Sequence, residues 1–166
     1  MPVVPTARLR PEIRAYRSPE DVEATFGVFQ AAIRQTASAV YRPDQVDAWA
    51  GPTPTDLSGW DVRRRGAFTL VAAVDDTVVG FTDLLPDGLV DMLFVHPRAG
   101  GRGIARALLT AITLEARIRG ITGLRTFASR SAQPTFERLG FTLVAHRPDN
   151  TLRGVVVPNA EMRCLL

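Results

Sequence analysis

The chain has 166 residues, which fits one domain of ordinary size spanning 1–166. Hydrophobic residues make up 46% and charged residues 22%, a balance that excludes a disordered chain and predicts a folded one. No apolar run approaches the roughly 20 residues that a membrane span requires, and Met1 to Arg10 lacks the apolar stretch of a signal peptide. A cytoplasmic protein without a membrane partner is therefore expected.

The basic residues are all arginine, because the chain contains no lysine among its 20 Lys and Arg residues. Walker A nucleotide-binding loops, pyridoxal-phosphate enzymes and lysine-dependent serine hydrolases each need a lysine, so these three classes are excluded. The net charge of +3 is small and the arginines are spread from Arg8 to Arg163, which does not favour a nucleic-acid partner. The run from Arg63 to Arg65 lacks interleaved aromatics and is predicted to be a solvated helix end.

Metal-ligating residues are scarce. Cys164 is the lone cysteine and cannot form an internal disulfide, which fits a reducing compartment. The two histidines, His96 and His146, are far apart in sequence, and no cluster has the spacing of zinc or iron ligands. No metal site is predicted.

The amino-terminal half alternates extended and helical patterns. Ser18-Pro19-Glu20-Asp21 has the polar cap, the proline and the first-turn acids that begin a helix. Two β-rich runs separated by Asp75-Asp76 indicate a hairpin. The predicted elements are a short strand over 13–16, helices to about Ala39, over 43–50 and over 56–65, and strands over 68–74, 78–84 and 89–95.

The carboxyl-terminal half contains the best-defined helix, with apolar residues at helical spacing from Ile104 to Ala116 and Gly120 at its end. The remaining predicted elements are a strand over 124–128, a short helix over 133–139, and strands over 141–146 and 155–165. This order predicts an α/β protein in which helices cover a mixed sheet.

The most informative segment joins a strand to that helix through the glycine loop from Gly100 to Gly103. Glycines at a helix start leave backbone N–H groups bare, and with the helix dipole these groups form an anion site suited to phosphates. A dinucleotide-binding fold would need a third glycine at position 106 and an acid about 20 residues further on, and the sequence has neither. A loop that merely turns the chain remains the alternative for the glycines alone.

Two motifs carry a resemblance to the GNAT superfamily of N-acetyltransferases. The first motif is a strand followed by Val-x-Pro, the glycine loop and Ile-Ala-x-x-Leu-Leu, and it resembles the acetyl-CoA signature of that family. In that signature the pyrophosphate is held by Gln or Arg, then two residues, Gly, one residue, and Gly or Ala. Gly103 and Ala105 match this signature, whereas Gly100 lacks the polar side chain of its first position. Downstream, Thr135-Phe136-Glu137-Arg138-Leu139-Gly140-Phe141 resembles the family segment Phe-Tyr-Glu-Lys-Leu-Gly-Phe.

The resemblance implies a central, mostly antiparallel sheet of six or seven strands flanked by four or five helices. Its fourth and fifth strands, 89–95 and 124–128, would splay apart to admit the pantetheine of acetyl-CoA. The backbone N–H groups of Leu93, Phe94 and Val95 would hold the pantetheine and polarise the thioester carbonyl. The residues implied to bind acetyl-CoA are Leu93, Phe94, Val95, Gly100, Gly101, Arg102, Gly103, Ile104, Ala105, Arg106, Ser129 and Phe136.

Acetyl transfer to an amine requires a base, because an amine of pKa near 10 is only about one part in a thousand neutral at pH 7. Asp91 is the leading candidate, because it is an acid in an apolar strand, two residues before Leu93 and on the same face. Burial of Asp91 would raise its pKa toward the useful range. The equal alternative is that Asp91 only binds the substrate ammonium. His96 is a weaker candidate for the base, because Pro97 follows it and the chain turns there, and a structural role is favoured for it. Glu137 is assigned a surface position.

The family usually protonates the departing thiolate with a tyrosine, and that position holds Phe136. Solvent or another hydroxyl such as Tyr41 would then supply the proton, or the protein would bind acyl-CoA with little turnover. Ser129 takes the place of an Asn that contacts pantetheine, with a hydroxyl that merely ends the strand as the alternative.

The resemblance implies that the early helices line the side of the cleft that binds the acceptor. Their aromatic residues there would be Tyr41, Trp49 and Trp60, each of which could equally be a core residue. The predicted function is transfer of acetyl from acetyl-CoA to a primary amine of a small molecule or peptide; the alternative is an acyl-CoA-binding regulatory module. The sequence does not identify the acceptor, and it leaves the oligomeric state open, with a homodimer among the alternatives.

Overall fold

The structure is a computed structural model that describes residues 10–166. The segment from Met1 to Arg10, in which the sequence shows no signal peptide, lies almost wholly outside the described residues. The first elements are β1 (Glu12–Ala15), α1 (Val22–Ala31), α2 (Pro43–Ala50) and α3 (Ser58–Gly66). A π-helical turn (Ala32–Thr36) and a 3₁₀ turn (Ala37–Ala39) prolong α1, so the predicted helical path to Ala39 is confirmed.

The remaining elements also follow the predicted order. They are β2 (Phe68–Val74), β3 (Thr77–Leu84), β4 (Val90–Val95), a 3₁₀ turn (Pro97–Ala99), α4 (Ile104–Ile118), β5 (Gly123–Ser129), α5 (Gln133–Arg138), β6 (Thr142–Arg147), β7 (Thr151–Leu152), β8 (Val155–Val156) and β9 (Asn159–Leu165). Asp75 and Asp76 both have positive φ in the two-residue turn between β2 and β3, which matches the twist of a hairpin.

The seven longer strands form two sheets rather than one continuous sheet. The first has the order β1-β2-β3-β4 and the second β5-β9-β6, with antiparallel pairing throughout. The two sheets meet at one parallel bridge between Leu89 and Arg125, where the Arg125 N–H donates to the Gly88 carbonyl. Beyond that bridge β4 and β5 separate, which confirms the predicted splay of the fourth and fifth strands.

The core is divided by the sheets into two clusters. On one face α4 lays Leu108, Ile112 and Ala116 against the strands together with Phe136 and Met162. On the other face α1, α2 and α3 bring together the aromatic residues Phe29, Tyr41, Trp60, Phe81 and the edge of Phe94. The apolar stripe of α4 read from the sequence is therefore the face that this helix buries.

Two sequence-based boundaries are wrong. The helix α1 begins at Val22 rather than at the Ser18-Pro19 segment, because the Asp21 carboxylate accepts from Arg14 at 2.7 Å and from the Arg17 backbone N–H at 2.8 Å and holds that segment as a turn. The predicted strand over 155–165 is interrupted before β9, since Pro158 has no N–H for a ladder and the chain forms the small β7–β8 hairpin.

The run Arg63 to Arg65 is only partly the solvated helix end that its composition indicates. Arg63 and Arg65 are exposed at the end of α3, whereas Arg64 is 2% exposed and lies inside the protein. Its Nε lies 3.0 Å from Asp83 Oδ2. An arginine within a charged run can be buried because the helix turns each successive side chain to a different side.

Within the described residues, no helix is long and apolar enough to cross a membrane.

Candidate active site

A cleft of about 830 Å³ opens where β4 and β5 separate. One wall is β4 with the turn and loop that follow it, and the other is the end of β5 with α5. The π-helical turn and α2 close one side of the cleft through Thr36 and Trp49. The cleft is lined by residues of both core clusters, so it reaches both faces of the first sheet.

The glycine loop forms one end of this cleft. Gly101 and Gly103 have φ values of 71° and 77°, and a Cβ added at either would meet no atom within 4 Å. Along α4, backbone hydrogen bonding begins with the N–H of Ala107, which donates to the Gly103 carbonyl. No side chain caps the start of this helix. The preceding N–H groups are therefore available to an anion, and the dipole of the 15-residue helix favours one there.

The residues predicted from the loop are brought together with one exception. Gly100, Gly101, Gly103, Ile104, Ala105 and Arg106 all line the cleft. Arg102 is exposed and is not part of the cleft lining. The loop fits a pyrophosphate because its open backbone leaves room for one.

The exposed edge of β4 presents alternate backbone N–H groups to the cleft. The His96 N–H donates to the Val79 carbonyl of β3 at 2.7 Å, and Phe94 lies opposite Phe81 in the same ladder. Strand alternation therefore directs the N–H groups of Leu93 and Val95 away from β3 and into the cleft. The expectation that Phe94 contributes its backbone N–H is wrong for this reason. The ring of Phe94 instead packs on the face of the first sheet that α1, α2 and α3 cover.

Asp91 lies in a β-bulge of β4. Asp83 pairs with Met92 and Leu84 with Val90, so Asp91 stands between them with no partner in β3. Asp91 lines the cleft, as the sequence predicts, but its side chain is exposed, so the expected burial is wrong. The physical reason is the bulge, because an extra residue bends the strand and points its side chain out of the ladder.

His96 has the structural role expected for it. Its Nδ1 accepts a hydrogen bond from the Arg98 N–H at 3.2 Å and caps the 3₁₀ turn that follows β4. Its backbone N–H continues the ladder with β3. The residue lines the cleft, yet one ring nitrogen is already occupied in shaping the entry to the glycine loop.

Phe136 and Ser129 lie on the β5 side of the cleft. Phe136 is 3% exposed, packs edge-on against Phe141 at a centroid distance of 5.0 Å and lines the cleft. The Ser129 hydroxyl lies 3.0 Å from the Ser131 hydroxyl and accepts from the Ala132 N–H at 3.2 Å, which supports the alternative of a hydroxyl that ends the strand. Glu137 is exposed on the surface, as expected.

The three aromatic residues predicted for the acceptor side divide into two groups. Tyr41 and Trp49 line the cleft with ring centroids 5.7 Å apart. Trp60 is a core residue, which corrects its prediction as a substrate contact. It is 6% exposed, its Nε1–H donates to Thr25 Oγ1 at 3.0 Å, and it is absent from the cleft lining.

Tyr41 is held by two long-range hydrogen bonds. Its hydroxyl donates to the Pro158 carbonyl at 2.5 Å and accepts from the Arg130 N–H at 2.9 Å, and burial raises its pKa. The phenol thus joins the wall built by the early helices to the end of β5 and the start of β9. Its proton is engaged with Pro158, so Tyr41 is poorly placed to protonate a leaving thiolate.

The sequence alone did not reveal three polar or aromatic residues of the second sheet that line the cleft, Phe127, Arg147 and Asn159. They come from three different strands, and no local motif connects them. Among the described residues, no group of three His, Cys, Asp or Glu side chains could hold a metal ion.

A split sheet with an open strand edge, and with free N–H groups in a glycine loop at its end, suits an extended phosphorylated molecule bound between the strands. The acetyltransferase (GNAT) domain family matches residues 38–163. The uncharacterized N-acetyltransferase YafP of Escherichia coli (strain K12) is 36% identical over 152 residues, which cover 92% of this chain and 94% of that protein.

Solved structures agree with this match. A GCN5-related N-acetyltransferase from Rhodopseudomonas palustris has a TM-score of 0.88 and 32% identity, and the match covers 95% of this chain and 96% of that one. The fold is shared with yncA of Salmonella typhimurium, solved with its cofactor acetyl-CoA, at a TM-score of 0.70, 23% identity and 94% coverage of both chains. The chain belongs to the GNAT family, and the predictions of an acetyl-CoA-dependent N-acetyltransferase and its fold are confirmed.

Proposed function

We propose that this protein transfers acetyl from acetyl-CoA to a primary amine of a small molecule or peptide by direct attack within a ternary complex. The observation that carries this proposal is the combination, in one cleft, of the glycine loop, the open N–H groups of Leu93 and Val95, and Asp91. The loop suits the anionic end of the cofactor and the strand edge suits its extended arm. Asp91 lines the same cleft from the bulge of β4.

The strand edge provides the electrostatic part of the catalysis. In the reaction the amine nitrogen forms a bond to the acetyl carbon and the carbon–sulfur bond breaks, while negative charge develops on the carbonyl oxygen. Backbone N–H groups fixed in a strand stabilise such charge without reorganising. Leu93 and Val95 supply these groups.

Asp91 acts as the proton acceptor for the substrate amine. It accepts the ammonium proton directly or through water, which keeps the attacking nitrogen neutral. Its exposure argues for a water-mediated path, because an exposed carboxylate is hydrated. Binding of the ammonium by the same carboxylate orients the amine even where the proton leaves to solvent.

Departure of the thiolate needs no hydroxyl at position 136. A thiol has a pKa near 8.5, so its anion is a good leaving group at neutral pH. The apolar ring of Phe136 lines the cleft on the β5 side, and water completes the protonation of sulfur.

Release of free thiol from acetyl-CoA in the presence of a panel of amines tests this function. Asp91→Asn should lower kcat/KM by roughly 10²–10⁴ if Asp91 is the base, and should shift or remove the acidic limb of its pH profile. Asp76→Asn is the matched control, because Asp76 is exposed in the β2–β3 turn with a positive φ that Asn also adopts.

The outcomes separate the alternatives. A change confined to KM, with the acidic limb intact, would assign Asp91 to ammonium binding. Tight binding of acetyl-CoA without thiol release for any amine would contradict the proposed transfer and favour an acyl-CoA-binding regulatory module.

A further inference from the structure

The side of the cleft opposite α4 is a chamber with its own lining residues. We call it the acceptor chamber and define it by Phe29, Tyr41, Trp49, Phe94, Phe127 and Arg147. It lies on the face of the first sheet that α1 and α2 cover, whereas α4 and the glycine loop lie on the other face. A molecule bound here would approach the β4 edge from the side opposite the cofactor.

The walls of this chamber are mainly aromatic. Phe94 has its centroid 5.1 Å from Phe29 and 6.1 Å from Trp49, and Trp49 lies 5.7 Å from Tyr41. Leu152 and Val157 continue the apolar lining next to the β7–β8 hairpin. Aromatic faces in these tilted arrangements favour a flat apolar group over a chain of amines or hydroxyls.

The guanidinium of Arg147 is the charged group of the chamber, and the cleft beside it adds the carboxylate of Asp91. Asp91 is the only Asp or Glu among the described residues that line the cleft. Arg106 and Arg138 also line it, but they come from α4 and α5 on the cofactor face. Arg147 is the cation that belongs to the acceptor side, at the end of β6.

Arg147 is held in place by neutral partners. Its Nη1 donates to Asn159 Oδ1 at 3.3 Å, and its guanidinium carbon lies 4.3 Å from the centre of the Phe127 ring. Across the described residues no carboxylate lies within 4.0 Å of it, and the nine remaining residues contain no Asp or Glu. On the same sheet, Arg125 and Arg163 are paired with Asp87 and Glu161.

This arrangement suits recognition of an anion. The guanidinium is a planar fork that binds a carboxylate through two parallel hydrogen bonds, and stacking on an aromatic ring fixes its plane before a ligand arrives. Half-burial beside the ring strengthens such a pair relative to one in open water. The Asn159 amide occupies one N–H of Arg147 without neutralising its charge, so the remaining N–H groups and the full positive charge are available to an anionic ligand.

We propose that the acceptor is an amine that also carries a carboxylate and an aromatic or large apolar side group, that is, an amino acid of the aromatic type. Arg147 binds the carboxylate, Asp91 receives the ammonium, and the rings of Trp49 and Phe94 contact the side group. The proposal rests on the proposed function for its reaction, and binding of the acceptor tests it independently of turnover.

The first experiment measures binding to the CoA-saturated protein by calorimetry. Phenylalanine and β-phenylalanine, which place the carboxylate at two distances from the amine, are compared with their amides and with glycine. We expect one of the two acids to bind at least tenfold more tightly than its own amide and than glycine. Equal binding of both acids and their amides would overturn the proposal.

The second experiment assigns the preference to a residue. Arg147→Gln should reduce the ratio of affinities for the acid over its amide at least tenfold, and Arg147→Lys should restore part of it. Arg117→Gln, an exposed arginine in the last turn of α4 outside the cleft, should retain the ratio. A ratio unchanged in Arg147→Gln, or a weakened affinity for acetyl-CoA in that variant, would contradict the assignment.

Thiol release with the same compounds distinguishes the two proposals. Turnover of amides and acids alike would leave acetyl transfer standing and overturn the amino-acid class. A binding preference for the acid without thiol release would support the acceptor chamber as an amino-carboxylate site and contradict acetyl transfer.

Discussion

Arg64 Nε lies 3.0 Å from Asp83 Oδ2, and each of these side chains is 1% exposed. The two atoms are close enough for an ion pair but are not aligned for a hydrogen bond. Thr69 donates to the other oxygen of Asp83 at 2.8 Å, and the guanidinium stacks on Trp60 at 4.3 Å. Arg64 Nη1 also reaches Met92 Sδ at 3.1 Å, so the pair lies directly beneath the bulge that presents Asp91.

This ion pair should show strong coupling between its partners. Arg64→Leu or Asp83→Asn alone leaves an uncompensated buried charge and should lower the free energy of unfolding by about 3–5 kcal/mol. The double variant should lose clearly less than the sum of the two single losses, as measured by urea unfolding. Arg163→Gln, which removes an exposed pair, should cost at most about 1 kcal/mol. Additive losses in the double variant would contradict the coupling.

The titration of Asp83 should differ from that of an ordinary aspartate. Burial raises the pKa of Asp83 to about 6 against the opposing effects of Arg64 and Thr69, and the charge of Asp91 raises it further. Because this pKa lies above that of an aspartate in the unfolded chain, protonation of Asp83 stabilises the folded protein, and this stabilisation is fully present below about pH 4. It is lost as the pH rises through about 6.

Carbon NMR of the labelled Asp83 carboxyl checks this value directly, with a midpoint expected near 6. The stability difference between the protein and Asp83→Asn should also change across the same pH window. A midpoint at the ordinary aspartate value of about 3.9 would show that the Arg64 charge outweighs burial.

Gly103→Asp should remove most of the affinity for acetyl-CoA while the protein stays folded. The new side chain would place a negative charge at the start of α4, where we propose that the free N–H groups bind phosphate. Acetyl-CoA at a hundred times its Kd stabilises a folded protein by about 2.7 kcal/mol, and the rise in Tm should disappear in this variant. Pantetheine without phosphate should give a much smaller rise in the unsubstituted protein.

Gly154→Asp is the control for that substitution. Gly154 has a φ of 78°, and an added Cβ there meets no atom within 4 Å, so the backbone cost resembles that at Gly103. It lies between β7 and β8 and does not line the cleft. Equal losses of affinity in the two variants would contradict a phosphate site at the glycine loop.

Phe136→Tyr introduces a hydroxyl into the wall of the cleft with one added oxygen. If protonation of sulfur limits the rate, kcat should rise while the affinity for acetyl-CoA stays similar, which steady-state kinetics and calorimetry measure separately. Phe141→Tyr adds the same oxygen to the neighbouring buried ring that does not line the cleft, and it should not raise kcat. An unchanged kcat in Phe136→Tyr would show that water already completes this step.

Local sequence determined most of the elements and the cofactor end of the site. The helical stripe of α4, the Asp75-Asp76 turn and the glycine loop are set by residues close together in the chain, so their patterns predict them. The two family motifs identified the class of enzyme for the same reason, since each is a continuous segment around the cleft.

The acceptor side was decided by tertiary structure. Trp49 and Trp60 both lie in short helices, yet the packing of α1 on α3 buries Trp60 while Trp49 faces the cleft. Asp91 is exposed because a register shift against β3 forms a bulge, and Arg64 is buried because Asp83 lies beneath α3. Arg147, Phe127 and Asn159 meet through pairing of β5, β6 and β9. These contacts depend on which strands pair and in what register, which no short segment specifies.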